Sequence, residues 1–287
     1  MKYRFMRFPE GKTKAVTLSY DDGLATDLKL CDTLDRHGMK CTLNVNSRWL
    51  VDEENGWNIT KTQLRDVVLA HGHEIAVHGA QHVAPGKVRA IDAMMDALEC
   101  RHTLEQLFGR IIRGMAYPNS GITAFCNGAT YAGVKQYLTQ LDIAYARSLG
   151  ADNNRFMMPT DWHNWIPTAH HKNPKVMDWA KQFVSIDVNG QHDSERQPRL
   201  FYLWGHTYEF DRENTWPLLE ELCQTLGHQE DTWYATNMEI YEYTAAYDAL
   251  IFSVDNSIIH NPTSRTVWFD QDKKLYVIHP GQTLRIT

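Results

Sequence analysis

Two adjacent aspartates end one apolar segment, and two histidines four residues apart follow another. Asp21 and Asp22 come directly after the segment AVTLSY (15–20), and His78 and His82 bracket the string HGAQH. Two imidazoles and a distant carboxylate form the three-ligand set of a catalytic metal site, which leaves positions open for water and substrate. On one helical turn, both imidazoles would face the same way. The pattern predicts a divalent cation held by the two histidines and one of the two aspartates.

Each half of this pattern is weak when taken alone. The chain has 14 histidines, and Asp-Asp-Gly is also a common way to begin a turn. The two halves together are much more specific, because they supply a complete ligand set from two strand ends.

Short apolar segments alternate with segments of helical period along most of the chain, which indicates parallel βα units. Catalytic side chains of such folds lie at the carboxyl ends of the strands. Strands are predicted at residues 15–20, 41–46, 74–78, 114–117, 143–148, 200–204 and 233–235. Helices are predicted at residues 27–37, 60–72, 87–108, 131–141, 174–186, 216–226 and 238–250. From Ile251 onward the pattern changes to strands separated by turns, which indicates a small β appendix.

Four strings occur in a fixed order that resembles a known family. TLSYDDG, HGAQH, RGMAYP and LWGH are similar to the motifs of the polysaccharide deacetylases, carbohydrate esterases with a NodB-homology domain. The resemblance implies an α/β fold, a distorted (β/α)7 barrel over residues 1–250, followed by the β appendix at 251–287. It also implies an activity: metal-dependent removal of an N- or O-linked acetyl group from a carbohydrate.

The resemblance assigns roles to the residues of the first two motifs. In the family the first aspartate of the Asp-Asp-Gly motif is the catalytic base and the second is a metal ligand. Asp21 is therefore expected to be the base, and Asp22 is expected to join His78 and His82 around the cation. The second motif departs from the family at Gly79, where Ser or Thr is usual.

The later motifs imply the remaining catalytic residues. Arg113 is expected to pair with the base, and the backbone N–H of Tyr117 to contribute to the oxyanion hole. His206 is expected to be the general acid, a role that suits a side chain titrating near neutral pH. Asp161 is the candidate for orienting that histidine, and Trp162 for stacking on a sugar ring of the substrate.

The expected cofactor is a divalent metal, with zinc favoured by the histidine and carboxylate ligands; cobalt, nickel or manganese would fit the same set. The expected partner is an acetylated oligo- or polysaccharide. A net charge of −6 and a pI near 6.1 exclude nucleic acid and anionic membrane as main partners. No apolar run reaches membrane-spanning or signal-peptide length, so a cytoplasmic location is expected. The sequence pattern is compatible with a homo-oligomer.

Other classes of function share part of this pattern. A related amide hydrolase acting on a small cyclic ureide would use the same residues. A non-haem iron oxygenase has the same ligand set, but the α/β rhythm disfavours it. A non-catalytic carbohydrate-binding protein would need neither Asp21 nor His206. A serine hydrolase is excluded, because the chain has no G-x-S-x-G motif.

Overall fold

The computed structural model describes residues 3–149 and 153–286. The strands, in chain order, are β1 (Arg4–Arg7), β2 (Lys14–Asp22), β3 (Cys41–Val45), β4 (Glu74–Val77), β5 (Gly114–Ala116), β6 (Tyr145–Arg147), β7 (Ala169–His170), β8 (Arg199–Gly205), β9 (Thr232–Tyr234), β10 (Ile251–Phe252), β11 (Ile258–His260), β12 (Val267–Gln271), β13 (Lys274–Ile278) and β14 (Thr283–Arg285).

The helices surround the strands β2 to β9. They are α1 (Asp27–Arg36), α2 (Lys61–Gln63, continued by a π-helical segment Leu64–Leu69), α3 (Ala90–Phe108), α4 (Tyr131–Gln140), α5 (Val176–Ser185), α6 (Thr207–Glu213), α7 (Trp216–Leu226) and α8 (Asn237–Asp248). Short 3₁₀ turns lie at Pro9–Gly11, Ser47–Trp49 and Trp162–Asn164. Among the described residues, no helix has both the length and the apolar character needed to cross a bilayer.

The main sheet is parallel and curls into a barrel. Its strands lie in the order β6-β5-β4-β3-β2-β8-β7, and β9 pairs with the first half of β2. Trp165 forms a parallel bridge with Arg147 at the end of β6, while β7 pairs with β8. The chain between Trp165 and β7 therefore closes the sheet between β6 and β8. This architecture confirms the predicted distorted (β/α)7 barrel.

The side chains of strand β2 alternate between the apolar core and the inside of the barrel. Val16, Leu18 and Tyr20 belong to the large apolar core between sheet and helices. Because side chains alternate along a strand, Ser19 and Asp21 face the other way, toward the inside of the barrel. Both contact the same partner there, since the Asn44 amide donates to the Ser19 hydroxyl at 2.7 Å and to the Asp21 carboxylate at 2.9 Å. The barrel interior is thus polar near its carboxyl end.

The sequence pattern predicted the seven strands β2 to β6, β8 and β9, but it did not predict β1, β7 or α6. Strand β1 pairs antiparallel with β12, so the N-terminal strand joins the small sheet β1-β12-β13 of the C-terminal segment. A second small sheet contains β10, β11 and β14. The domain boundary at residue 250 remains a prediction, to which this pairing adds an N-terminal strand on the appendix side.

A buried ion pair ties the appendix sheet to the barrel. Asp270 of β12 accepts hydrogen bonds from both terminal nitrogens of Arg196 at 3.0 and 2.8 Å, and the Arg7 guanidinium of β1 lies 3.9 Å away. All three side chains are buried. Removing the carboxylate would leave two guanidinium groups buried without their counter-ion.

We therefore expect Asp270→Ala to lower the free energy of unfolding by about 3–5 kcal/mol, because removing one partner of a buried ion pair leaves the other charge buried and uncompensated. Urea unfolding followed by circular dichroism measures this change. Asp193→Ala is the matched control, because Asp193 forms an exposed pair with Lys273 in the same region. The control should unfold at nearly the wild-type midpoint, and an equal loss in both variants would contradict the role of the buried pair.

Candidate metal centre and catalytic site

Three predicted ligands converge at the carboxyl ends of β2 and β4. Nε2 of His78 lies 3.6 Å, and Nε2 of His82 lies 3.4 Å, from Oδ1 of Asp22. Within the described part of the chain, Asp22 Oδ1 and His78 Nε2 are buried and have no hydrogen-bond partner. Buried polar atoms normally have a partner, and donor atoms that face each other unpaired are what a bound cation would satisfy. The residues therefore fit a divalent metal ion.

The protonation of His78 also fits metal binding. Its Nδ1 lies 2.9 Å from the carbonyl oxygen of Ala116, which can only accept, so Nδ1 carries the hydrogen and Nε2 keeps its lone pair. Burial lowers the pKa of His78 to about 4, and burial also lowers the pKa of His82. Both rings are therefore neutral near pH 7, as metal ligands must be.

The two histidines meet through a loop, so the predicted helical turn is wrong. Gly79 and His82 both have positive φ, at 76° and 61°. The Asp96 carboxylate steadies this loop by accepting the backbone N–H of Gln81 at 2.8 Å. A Cβ at residue 79 would lie 2.2 Å from Asp96 Oδ2. Gly79, the departure from the family motif, is thus required by an acidic side chain that anchors the loop from α3.

An unusual backbone conformation brings both adjacent aspartates to one site. Successive strand residues point to opposite faces, but Asp22 has a φ of 83°, in the left-handed region. Burial and the neighbouring charge of Asp21 raise the pKa of Asp22 to about 6. A cation would relieve both effects by neutralising the ligand carboxylate.

Asp21 lies beside the ligand cluster and has its own partners. Its Oδ2 receives a hydrogen bond from the Arg147 guanidinium, and lies 3.9 Å from Nε2 of His78 and 4.0 Å from Nε2 of His206. Burial by itself would raise the pKa of Asp21, but the charge and the hydrogen bond of Arg147 oppose it, and the pKa lies below its usual value. A buried, ionised carboxylate is therefore available next to the candidate metal ligands.

The prediction that Arg113 pairs with the base is wrong. Arg113 precedes β5, at the amino end of the barrel, and its guanidinium binds Asp142 at 2.7 Å. Arg147 ends β6, so it emerges at the same end as Asp21. Arg147 was not among the predicted site residues, although it is a charged residue near the end of the short predicted strand 143–148, which was a signal for it.

The assignment of Tyr117 to the oxyanion hole is also wrong. Its backbone N–H donates to the carbonyl of Arg147 at 3.0 Å, in continuation of the β5–β6 pairing. Its hydroxyl donates to the carbonyl of His163 at 2.7 Å, and the side chain is buried. The backbone N–H that the motif suggested as an oxyanion donor is thus already hydrogen-bonded within the sheet.

His206 faces Asp21 from the opposite side of the site. It is oriented by Glu209, whose Oε2 lies 3.4 Å from Nδ1 of His206. Burial would lower the pKa of His206, but Glu209 and Asp21 raise it above the usual value. The same Glu209 oxygen lies 3.2 Å from Nε2 of His170 and 3.3 Å from Nε2 of His171.

The prediction that Asp161 orients the acid histidine is therefore wrong. Asp161 accepts hydrogen bonds from Tyr131 at 2.6 Å and from Lys135 at 2.8 Å. Glu209 takes the predicted role, and it stands three residues after His206 at the start of α6. Glu209 was not among the predicted site residues, because the sequence pattern did not predict this helix.

Trp162 does not line the site, so its assignment to sugar stacking is also wrong. Its ring packs edge-on against Trp165 and Tyr241, with centroids 4.8 and 5.0 Å away. The next residue, His163, bonds through Nε2 to the carbonyl of Ile143, just before β6. Trp162 therefore fills space near the amino end of the barrel, away from Asp22.

A comparison with protein families matches residues 9–137 to the model described as polysaccharide deacetylase. The match confirms, over residues 9–137, the resemblance to the polysaccharide deacetylases that the sequence motifs indicated. The matched segment contains the three metal-ligand candidates and Asp21, whereas Arg147, His206 and Glu209 lie beyond it. None of the curated proteins compared with the chain matches it in sequence.

Solved structures share the fold. The chitin deacetylase from the fungal pathogen Colletotrichum lindemuthianum is 17% identical, with a TM-score of 0.51, over 82% of this chain and 89% of that one. Puue allantoinase is 11% identical, with a TM-score of 0.56, over 82% of this chain and 91% of that one. At these identities the likeness concerns the fold alone.

The ligand geometry predicts how single changes affect metal binding. Asp22→Ala and His78→Ala should each weaken zinc binding roughly 100-fold or more, because even supporting residues of metal sites cost 10–100-fold. Asp21→Asn is the matched control, since it alters the adjacent carboxylate outside the ligand set and should keep zinc at wild-type stoichiometry. Isothermal titration of metal-free protein with zinc measures both. Full zinc occupancy in the two ligand variants would show that the ligands lie elsewhere.

Proposed function

We propose that the protein is a metal-dependent deacetylase that removes an N- or O-linked acetyl group from a carbohydrate. The observation that carries the proposal is that two adjacent carboxylates have different environments. Asp22 faces two neutral imidazoles, while Asp21 is kept ionised by Arg147 beside them. The family match of residues 9–137 supports an acetylated carbohydrate as substrate.

Asp22, His78 and His82 would hold the metal. When bound, a divalent cation supplies Lewis-acid polarisation of the acetyl carbonyl. Zinc suits two imidazoles and a carboxylate, and cobalt, nickel and manganese are compatible with the same donors.

Asp21 is the general base of the proposed reaction. Its carboxylate takes a proton from the water molecule that attacks the acetyl carbon. Arg147 and the Asn44 amide each bind one of its oxygens, so the carboxylate is fixed in orientation as well as in charge. A base held this way needs no rearrangement when the substrate arrives.

His206 is the general acid. Glu209 contacts its Nδ1, which leaves Nε2 directed toward Asp21 and the substrate side. The raised pKa keeps a protonated population near neutral pH, and the proton passes to the departing nitrogen or oxygen of the sugar. Base and acid thus face the reacting group from two sides.

The reaction is tested by measuring acetate release from acetylated chito- and xylo-oligosaccharides. Asp21→Asn should lower kcat by roughly 10²–10⁴-fold, the usual contribution of a general base, while zinc binding persists. Asp142→Asn is the control, because it changes an exposed carboxylate at the amino end of the barrel and should leave kcat unaltered. Wild-type turnover of allantoin without any acetate release would favour the cyclic ureide hydrolase instead.

The pairing of Arg147 with Asp21 predicts a shift in the pH–rate profile. The base must be ionised, so the rate falls on the acid side as Asp21 becomes protonated. Arg147→Met removes the charge that lowers the Asp21 pKa, and the acid limb of kcat/KM should move to higher pH by roughly 1–3 units. Arg113→Met should leave the limb in place. A shift in the Arg113 variant alone would restore the pairing expected from the motif.

A further inference from the structure

A second group of side chains able to bind a metal lies at the amino end of the barrel. Cys31 belongs to α1, Cys41 begins β3, and His73 directly precedes β4. All three are buried, and their ligand atoms lie within 4.8 Å of one another. Strands β3 and β4 are parallel, so their starts lie on the face opposite to the carboxyl ends. The group is therefore separate from the candidate metal centre.

The spacing of these ligand atoms suits a metal ion. Sγ of Cys41 lies 3.6 Å from Nδ1 of His73. Zinc takes sulfur ligands at about 2.3 Å and nitrogen ligands at about 2.0 Å, so a sulfur and a nitrogen of one tetrahedral site lie about 3.5 Å apart. The separation in the structure thus agrees with two ligands of one ion, and Cys31 adds a second sulfur.

His73 has the orientation of a metal-ligating histidine. The backbone N–H of Cys41 donates to Nδ1 of His73 at 3.1 Å, so Nδ1 has the lone pair and Nε2 carries the hydrogen. Nε2 lies 3.2 Å from Oδ1 of Asp35. Histidines that bind a metal through one nitrogen commonly direct the other N–H at a carboxylate, which fixes the tautomer. The lone pair therefore already points toward Cys41, and a bound ion would replace the backbone N–H as its partner.

The charge of the group also favours a cation. The hydrogen bond from Cys41 lowers the pKa of Cys31 with help from His73, although burial opposes them. Burial raises the pKa of Cys41. The group thus holds one thiolate beside one thiol, and metal coordination would favour loss of the second proton.

We propose that Cys31, Cys41 and His73 bind a metal ion of their own, a thiolate-preferring cation such as zinc. Two sulfurs and an imidazole nitrogen are donors that select such a cation over magnesium or calcium. Asp35 is a positioning residue, because it acts on the ion through the ring of His73. The ion would cross-link α1, the start of β3 and the loop before β4, so it would stabilise the barrel and take no part in the reaction.

Cobalt(II) is the probe that separates this site from the candidate metal centre. A cobalt ion bound to thiolate has a sulfur-to-metal charge-transfer absorption in the near ultraviolet, which imidazole and carboxylate ligands do not produce. Reduced, metal-free Asp22→Ala should bind cobalt and show this band. Adding Cys31→Ala should remove the band and weaken the binding roughly 100-fold or more. Cys223→Ala is the matched control, because it changes a buried cysteine outside the group and should keep the band.

Zinc should displace the cobalt, and the wild type should bind two zinc ions per chain where Asp22→Ala binds one. Asp35→Asn keeps all three ligands and should weaken cobalt binding by roughly 10-fold, because the carboxylate that orients the imidazole is lost. Circular dichroism checks that each variant is folded. Absence of the band in folded, reduced Asp22→Ala would overturn the site, and so would a band that survives Cys31→Ala.

A disulfide between Cys31 and Cys41 that persists under reducing conditions would overturn the site as well, because it would remove both thiolate ligands. All of these measurements are made without substrate. Their failure would therefore leave the proposed deacetylation untouched, and failure of acetate release would leave this site untouched.

Discussion

Two adjacent carboxylates at the end of one buried strand are the constraint on which the site depends. Charges of equal sign repel strongly when they are shielded from water, and burying an unpaired charge is costly. The chain resolves this by giving each aspartate a different environment. Arg147 and Asn44 compensate Asp21, whose pKa is lowered, whereas Asp22 has a raised pKa and faces two neutral imidazoles. One carboxylate is thus balanced by protein, and the other is suited to a cation.

The barrel supplies these partners through the direction of its strands. Asp21 and Asp22 end β2, His78 follows β4, Arg147 ends β6 and His206 follows β8. Because all four strands are parallel, their carboxyl ends meet on one face. A residue before a strand, such as Arg113, emerges on the opposite face whatever its distance along the sequence. The direction of the strands therefore explains why Arg147 lies beside Asp21 and Arg113 does not.

Much of the fold and the ligand cluster could be predicted from sequence, because apolar periodicity and motif spacing are local. The pairing of Arg147 with Asp21 joins residues 126 positions apart, which periodicity does not report. The motif resemblance favoured Arg113, although strand direction argued for Arg147. Tyr117 was misassigned for a related reason: its N–H belongs to the β5–β6 pairing, and that hydrogen bond is invisible without the neighbouring strand. Trp162 shows that aromatic content alone does not tell core from groove.

The surroundings of His206 are built differently, from residues that are close to it in the sequence. His206 precedes α6, and Glu209 lies one turn later, so the helix start itself brings the carboxylate back to the imidazole. His171 packs under this turn, stacked on Phe210 with ring centroids 4.2 Å apart, and a Cβ at Gly205 would lie only 2.0 Å from its Nδ1.

Burial and the nearby His170 lower the pKa of His171 to about 3. His171 therefore stays neutral and does not compensate the charge of Glu209. The close approach of His171 therefore explains why glycine precedes His206. His206 is positioned by one turn of helix and Asp21 by the whole barrel, so changes in α6 should disturb His206 without moving Asp22, His78 or His82.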